Sequence, residues 1–133
     1  MSSSLNGLRT ITFIALSAGC GAALANPIMH VHDSGARLAT VDVANGNVGL
    51  IGNMGLVMTD IAFDPSGNLF GLTVSALYAI SATTAATTFI GNHGIAGGNA
   101  LVFGADGKLY ATGNATTNLY TINPGNGAST NLG

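Results

Sequence analysis

The chain has no tryptophan, no glutamate and no glutamine, a single cysteine, and three basic residues against five acidic ones in 133 residues. Each shortage excludes something. Beyond position 25 the only basic residues are Arg37 and Lys108. Nucleic acid needs several phosphates neutralised, so it is not an expected partner. Those two cations against Asp33, Asp42, Asp60, Asp64 and Asp106 leave a net charge of −3 over 26–133, which also disfavours adhesion to anionic lipid. The lone cysteine, Cys20, lies ahead of position 26. If the segment 1–25 is removed, no disulfide, thiol nucleophile or cysteine-type zinc site is possible.

What is present begins with that segment. A polar start carrying Arg9 is followed by an apolar run from Ile11, and then by a small-x-small site, Ala23-Leu24-Ala25, before Asn26 and Pro27. This is the layout of a secretory signal peptide. The run over 11–25 is interrupted by Ser and Gly and is shorter than the roughly 20 residues that span a bilayer. No membrane insertion is expected after cleavage, and the compartment is periplasmic or extracellular. A lipoprotein signal ending at Cys20 is the alternative, but Ser17 stands where a Leu-type residue is usual, and Leu16 is one place too early.

The mature part, 26–133, repeats itself. "DIAFDPSGNLFGLT", Asp60 to Thr73, returns as "ALVFGADGKLYATG", Ala100 to Gly113. "LATV" at Leu38, "LYAI" at Leu77 and "LYTI" at Leu119 each lead to an apolar run ending in glycine, at Gly52, Gly91 and Gly133. The intervals between these glycines are nearly equal. A period of about 40 residues with several short runs per repeat is the mark of a repeat architecture. Each repeat holds four short β-like runs, a to d. The a–b junctions carry Pro65, Gly67 and Gly107, and a c–d junction carries Asn45-Gly46, which are turn and hairpin signals. Helices are not expected, because Gly and Pro interrupt every window before three turns accumulate. In "LYAI", Tyr78 and Ile80 share one face while Leu77 on the other is also apolar, as in a sheet buried on both sides.

A four-stranded antiparallel meander recurring every ~40 residues, apolar on both faces, reads as a β-propeller blade. The expected fold is all-β: 26–52 forms blade 1 without its first strand, 53–91 blade 2 and 92–133 blade 3. That is eleven strands, or 2.75 blades, of an incomplete ring. A β-solenoid is the rival, but its coils are shorter and lack tight hairpins. "IAFDPSGNLFGLT" and "LYTINPGNGASTNLG" resemble the NHL- and YVTN-type propellers of secreted bacterial proteins, over about 36–133. The resemblance implies an architecture and no particular activity. Missing blades or self-association are needed to close the ring.

The b–c and d–a loops share one end of each blade and are richer in side chains than the a–b and c–d turns. Loops on a rigid scaffold are where binding residues tend to lie. Asn92, His93, Asn99, Asn114 and Thr116 are therefore the candidate ligand-binding residues, on one rim. They suit a neutral polar ligand such as a sugar, although Asn and Gly there also serve turn geometry. Asn114-Ala115-Thr116 is also formally a glycosylation acceptor. His30 and His32 share a strand face next to Asp33, but no third metal ligand is visible. Asp64 and Asp106 are explained by bonds to their own turns. No nucleophile elbow, phosphate loop, zinc helix or calcium loop is present, so no catalytic residue, metal or cofactor is assigned. Three functions stay open. The leading one is a secreted, non-enzymatic scaffold for a protein or carbohydrate partner, as part of a longer propeller. The others are a lactonase-like metal-dependent hydrolase with its site in missing blades, and an oligomeric lectin. The mature N-terminus is expected at Asn26: the intact mass of the exported product should lack the segment 1–25, and a product retaining Met1 or carrying lipid on Cys20 would contradict the cleavage.

Overall fold

A computed structural model describes residues 26–133; the signal-peptide reading lies outside the described residues. These residues form eleven strands and, among them, no helix. Strands β1 (Ile28–His32), β2 (Arg37–Asp42) and β3 (Val48–Asn53) make one three-stranded sheet. Strands β4 (Asp60–Phe63), β5 (Leu69–Leu72), β6 (Ala76–Ile80) and β7 (Thr87–Asn92) make a second, in chain order. The third is β8 (Gly98–Phe103), β9 (Leu109–Gly113), β10 (Tyr120–Ile122) and β11 (Ser129–Asn131). All pairings are antiparallel between neighbours in sequence. These are the expected meanders, arranged as propeller-like blades without ring closure. Blade 1 starts at its second strand: β1 corresponds to β5 and β9, and no strand among the described residues corresponds to β4 and β8.

The blades stack face on face, with β4 lying against both β8 and β1. Two apolar layers result. Between blades 1 and 2 lie Leu38, Met54, Met58, Leu69, Ile80 and Ala85, joined by Tyr78. Between blades 2 and 3 lie Leu72, Leu77, Ile95, Leu101, Leu109 and Ile122. Tyr78 and Ile80 thus face blade 1 while Leu77 faces blade 3, which is why blade 2 reads as apolar at consecutive positions. An aromatic contact recurs in each layer: the His30 and Phe63 ring centroids are 4.9 Å apart, and those of their repeat counterparts Phe70 and Phe103 are 5.6 Å apart.

The repeated glycine explains how the blades approach each other. In β3 the pairing passes from Leu38↔Gly52 to Ala39↔Leu50, and in β7 from Leu77↔Gly91 to Tyr78↔Phe89. Ile51 and Ile90 are therefore the extra residues of β-bulges, which bend the strand and increase its twist. Each bulged isoleucine packs into the layer toward the next blade. The glycine after it meets the c–d turn of that blade. A Cβ on Gly52 would lie 2.9 Å from the Thr84 carbonyl oxygen and 3.2 Å from the Ala85 Cβ, and a Cβ on Gly91 would overlap the Asn126 carbonyl. The turn residues pressed against these glycines, Ala85 and Gly127, have φ of +63° and +77°. Each contact is tied by a hydroxyl from the start of the next blade's d strand. Thr87 Oγ1 donates to the Met54 carbonyl at 3.2 Å, and Ser129 Oγ donates to the His93 carbonyl. Between blades 2 and 3, Leu101 N–H also donates to Asp60 Oδ2 at 2.8 Å.

Gly91→Ala should accordingly destabilise the protein by about 1–3 kcal/mol, the cost of forcing atoms into a filled contact. Gly125→Ala, on an exposed turn with only the Asn123 side-chain oxygen nearby at 3.3 Å, should stay within about 0.5 kcal/mol. Denaturant midpoints of the two variants check the contrast.

Candidate functional site

The d–a loop over 92–98 is bonded to both adjoining b–c loops. His93 and Gly98 donate their N–H groups to the Ser75 and Val74 carbonyls at 3.2 and 3.1 Å. Asn114 and Ala115 donate theirs to the Gly97 and Ala96 carbonyls at 2.8 and 3.3 Å. One rim thus gathers 73–76, 92–98 and 113–116, all on sheets that flank the layer between blades 2 and 3.

The five candidate residues separate into two kinds on this rim. Asn92, Asn99 and Asn114 are exposed. Asparagines elsewhere give their side chains to local backbone: Asn45, Asn53, Asn123, Asn126 and Asn131 each accept an N–H two residues on. No such bond engages Asn92, Asn99 or Asn114 among the described residues. Thr116 is half-buried, with Oγ1 accepting the Asn118 N–H at 3.1 Å and lying 3.3 Å from the Tyr120 hydroxyl.

His93 is placed differently from the rim position expected of it. It is 2% exposed. Its Nδ1 accepts the Ile95 N–H at 3.0 Å, so the proton sits on Nε2, which donates to the Thr73 carbonyl at 3.1 Å. Both ring nitrogens are engaged, and the ring presses on Gly98 so closely that a Cβ there would lie 2.7 Å from Cε1. The physical reason is visible in the repeat. Its counterpart Met54 is 3% exposed, so this position plugs the end of each layer, by a thioether in one case and a doubly bonded imidazole in the other.

The carboxylates are occupied by architecture. Asp64 Oδ1 receives the N–H groups of Ser66 and Asn68, and its Oδ2 the Asn68 side-chain amide; that amide first, then the backbone bonds, hold the carboxyl below its ordinary value. Asp106 takes the Lys108 N–H and the Tyr110 hydroxyl. These bonds lower its pKa, and the hydroxyl bond raises that of Tyr110. Asp33 is lowered by the Arg37 side chain, at 2.6 Å from Nη2 to Oδ2, and then by the Arg37 N–H. Asp42 is lowered by the Asn26 amide and then by the Ala44 N–H. Asp60 divides its oxygens between the N–H groups of Ile61 and Leu101. His30 lies edge-on against Phe63, His32 Nδ1 is buried without a hydrogen-bond partner, and among the described residues no group of three His, Cys, Asp or Glu side chains could hold a metal.

Concave surface with largely aliphatic walls lies on the two outer blades. A groove of about 230 Å3 at the edge of blade 3 is lined by Val102, Tyr110, Thr112 and Leu119 and reaches Asp60 of blade 2. Another of about 290 Å3 on the outward face of blade 1 is lined by Val31, Ala39, Val48 and Leu50 together with His32 and the Asp33–Arg37 ion pair. Both sets occupy repeat positions that are interior between blades, and they lie on the terminal faces that an array of 2.75 blades is expected to leave uncovered.

No family model matches the chain, and curated proteins give no match. Solved structures do. A structural genomics protein of unknown function from Bacteroides thetaiotaomicron VPI-5482 superposes with a TM-score of 0.61 at 16% identity, over 76% of this chain and 28% of that one. A protein described in a study of the de novo evolutionary emergence of a symmetrical protein superposes with a TM-score of 0.51 at 21% identity, over 71% of this chain and 45% of that one. The chain spans less than half the length of either, and the likeness concerns the fold alone.

His93→Ala should cost about 2–5 kcal/mol of stability, from the cavity and the two abandoned backbone partners. His93→Met, which copies Met54, should cost less, and Asn114→Ala should stay within about 0.5 kcal/mol. Thermal unfolding of the three variants measures the order.

Proposed function

We propose that the chain is an exported, non-enzymatic propeller scaffold of the NHL- and YVTN-like kind. Its rim of b–c and d–a loops serves as the contact surface for a neutral polar ligand such as a carbohydrate, or for a protein partner. Export rests on Arg9, the apolar run over 11–25 and the Ala23-x-Ala25 site. The observation that carries the binding reading is the division of labour on the rim. Thr116 and His93 hold the loops in place, while Asn92, Asn99 and Asn114 keep exposed amides on a bonded backbone. An amide offers two donors and an acceptor without a charge, the chemistry that matches a sugar hydroxyl. Rigid placement lowers the ordering cost of binding. For the described residues a scaffold is favoured because all five carboxylates accept backbone N–H groups; a hydrolase site would have to be built from further blades.

A glycan array probed with the exported protein tests the proposal. Binding to neutral glycans is expected, with at least a tenfold loss in the double variant Asn99→Ala, Asn114→Ala and unchanged unfolding temperature. Absence of binding, or binding indifferent to both substitutions, would remove the rim as a carbohydrate site.

A further inference from the structure

Four repeat positions each occur three times, and each is satisfied twice. Leu38 and Leu77, covered by the following blade, are both 0% exposed; their counterpart on blade 3, Leu119, is 44% exposed. Leu69 and Leu109, covered by the preceding blade, are 2% and 1% exposed; their counterpart on blade 1, Met29, is 51% exposed. Gly52 and Gly91 receive a turn from the next blade, whereas a Cβ on Gly133 would meet nothing within 4 Å. Ala85 and Gly127 are the turns that are received, whereas Gly46 keeps their left-handed backbone at φ +76° with nothing against it.

The two faces left open among the described residues are therefore complementary halves of one contact. Blade 3 presents the receiving half, Leu119, Leu132 and Gly133 beside Val102. Blade 1 presents the inserting half, Met29, Gly46, Val48 and Leu50. The geometry points to a second copy of this chain as the occupant, with blade 3 of one copy against blade 1 of the other in the same head-to-tail sense as the blades within a copy. A head-to-tail contact closes into a ring only if its rotation permits. Two copies of eleven strands amount to about five and a half blades, within the usual four to eight.

Magnitudes favour closure over an open pair. Blade 1 offers three strands, a face on the order of 250 Å2. One contact would bury on the order of 500 Å2 counting both sides, below the roughly 1,000 Å2 of a specific interface, which two contacts in a closed ring reach. The contact would lack two of the polar ties found between the blades of one copy, since Val48 stands where Thr87 and Ser129 carry the tying hydroxyl and Ala100 where Asp60 carries the carboxylate, while the Asp33–Arg37 ion pair borders it on blade 1. This inference concerns the blade faces and is independent of the rim.

Sedimentation velocity of the exported chain over a range of concentrations is the test, with two variants: Val48→Lys on the blade 1 face and Val102→Lys on the blade 3 face. The wild type should show a discrete species of twice the monomer mass, and each variant alone should be monomeric. Every head-to-tail contact needs one face of each kind, so mixing the two variants leaves one intact contact. The mixture should form a 1:1 heterodimer at higher concentration than the wild type requires. Two misfolded variants could not restore it, and like-on-like pairing would not depend on mixing. A wild type that stays monomeric, variants that still dimerise alone, a mixture that never associates, or a native protein whose further strands cover these faces would each overturn the inference.

Discussion

The contact on which the arrangement depends is backbone against backbone: the end of one blade's outer strand pressed under the c–d turn of the next. It needs a residue without Cβ at Gly52 and Gly91, a turn with left-handed backbone at Ala85 and Gly127, and a bulge that directs both the glycine and the preceding isoleucine toward the neighbour. Because the approach is close, few side chains can intervene, and the hydroxyls of Thr87 and Ser129 reach carbonyls of the previous blade. The same geometry brings the buried leucines of one blade over those of the next. Sequence periodicity in this protein is thus the periodicity of one interface, read once per blade.

The second consequence is that polar chemistry is largely consumed by folding. With few charges, the chain meets its buried and turn backbone groups with Asp, Asn, Ser and Thr side chains, since an unpaired buried polar group costs about 1–3 kcal/mol. The aspartates accept turn N–H groups or, in Asp60, one from the adjoining blade. His93 joins a loop to Thr73. What is left over is a set of exposed amides on one rim and two apolar blade faces. The amides are suited to recognition rather than to proton transfer, having no titratable group between them. The faces are suited to more of what the chain already makes.

Solved structures of longer proteins superpose on most of these blades at identities of 16% and 21%. Agreement at that level follows from shared layer geometry and carries no chemistry with it. It fits the view that stacking a β-meander on its like depends on spacing and a few small residues, while the loops vary freely.

Much of the fold was legible in the residues. The doubled hairpin from Asp60 and Ala100, the glycines at 52, 91 and 133, and the apolar positions on both sides of "LYAI" are local or periodic features, and they determine the meanders, the strand order and, among the described residues, a blade 1 that starts at its second strand. The turn aspartates were legible for the same reason, their partners lying close by in the chain. What only the tertiary structure decided are contacts between residues far apart in the chain. Asp60 meets Leu101 and Gly91 meets Asn126 because two sheets stack at a particular depth, which no spacing reveals. His93 illustrates the limit most clearly. Between two glycine-bearing turns it reads as a loop residue open to solvent, but Gly98 leaves room for its ring and the Ile95 N–H and Thr73 carbonyl complete it. Whether a polar side chain faces water or fills a layer depends on what packs above it, and that is a property of the folded stack.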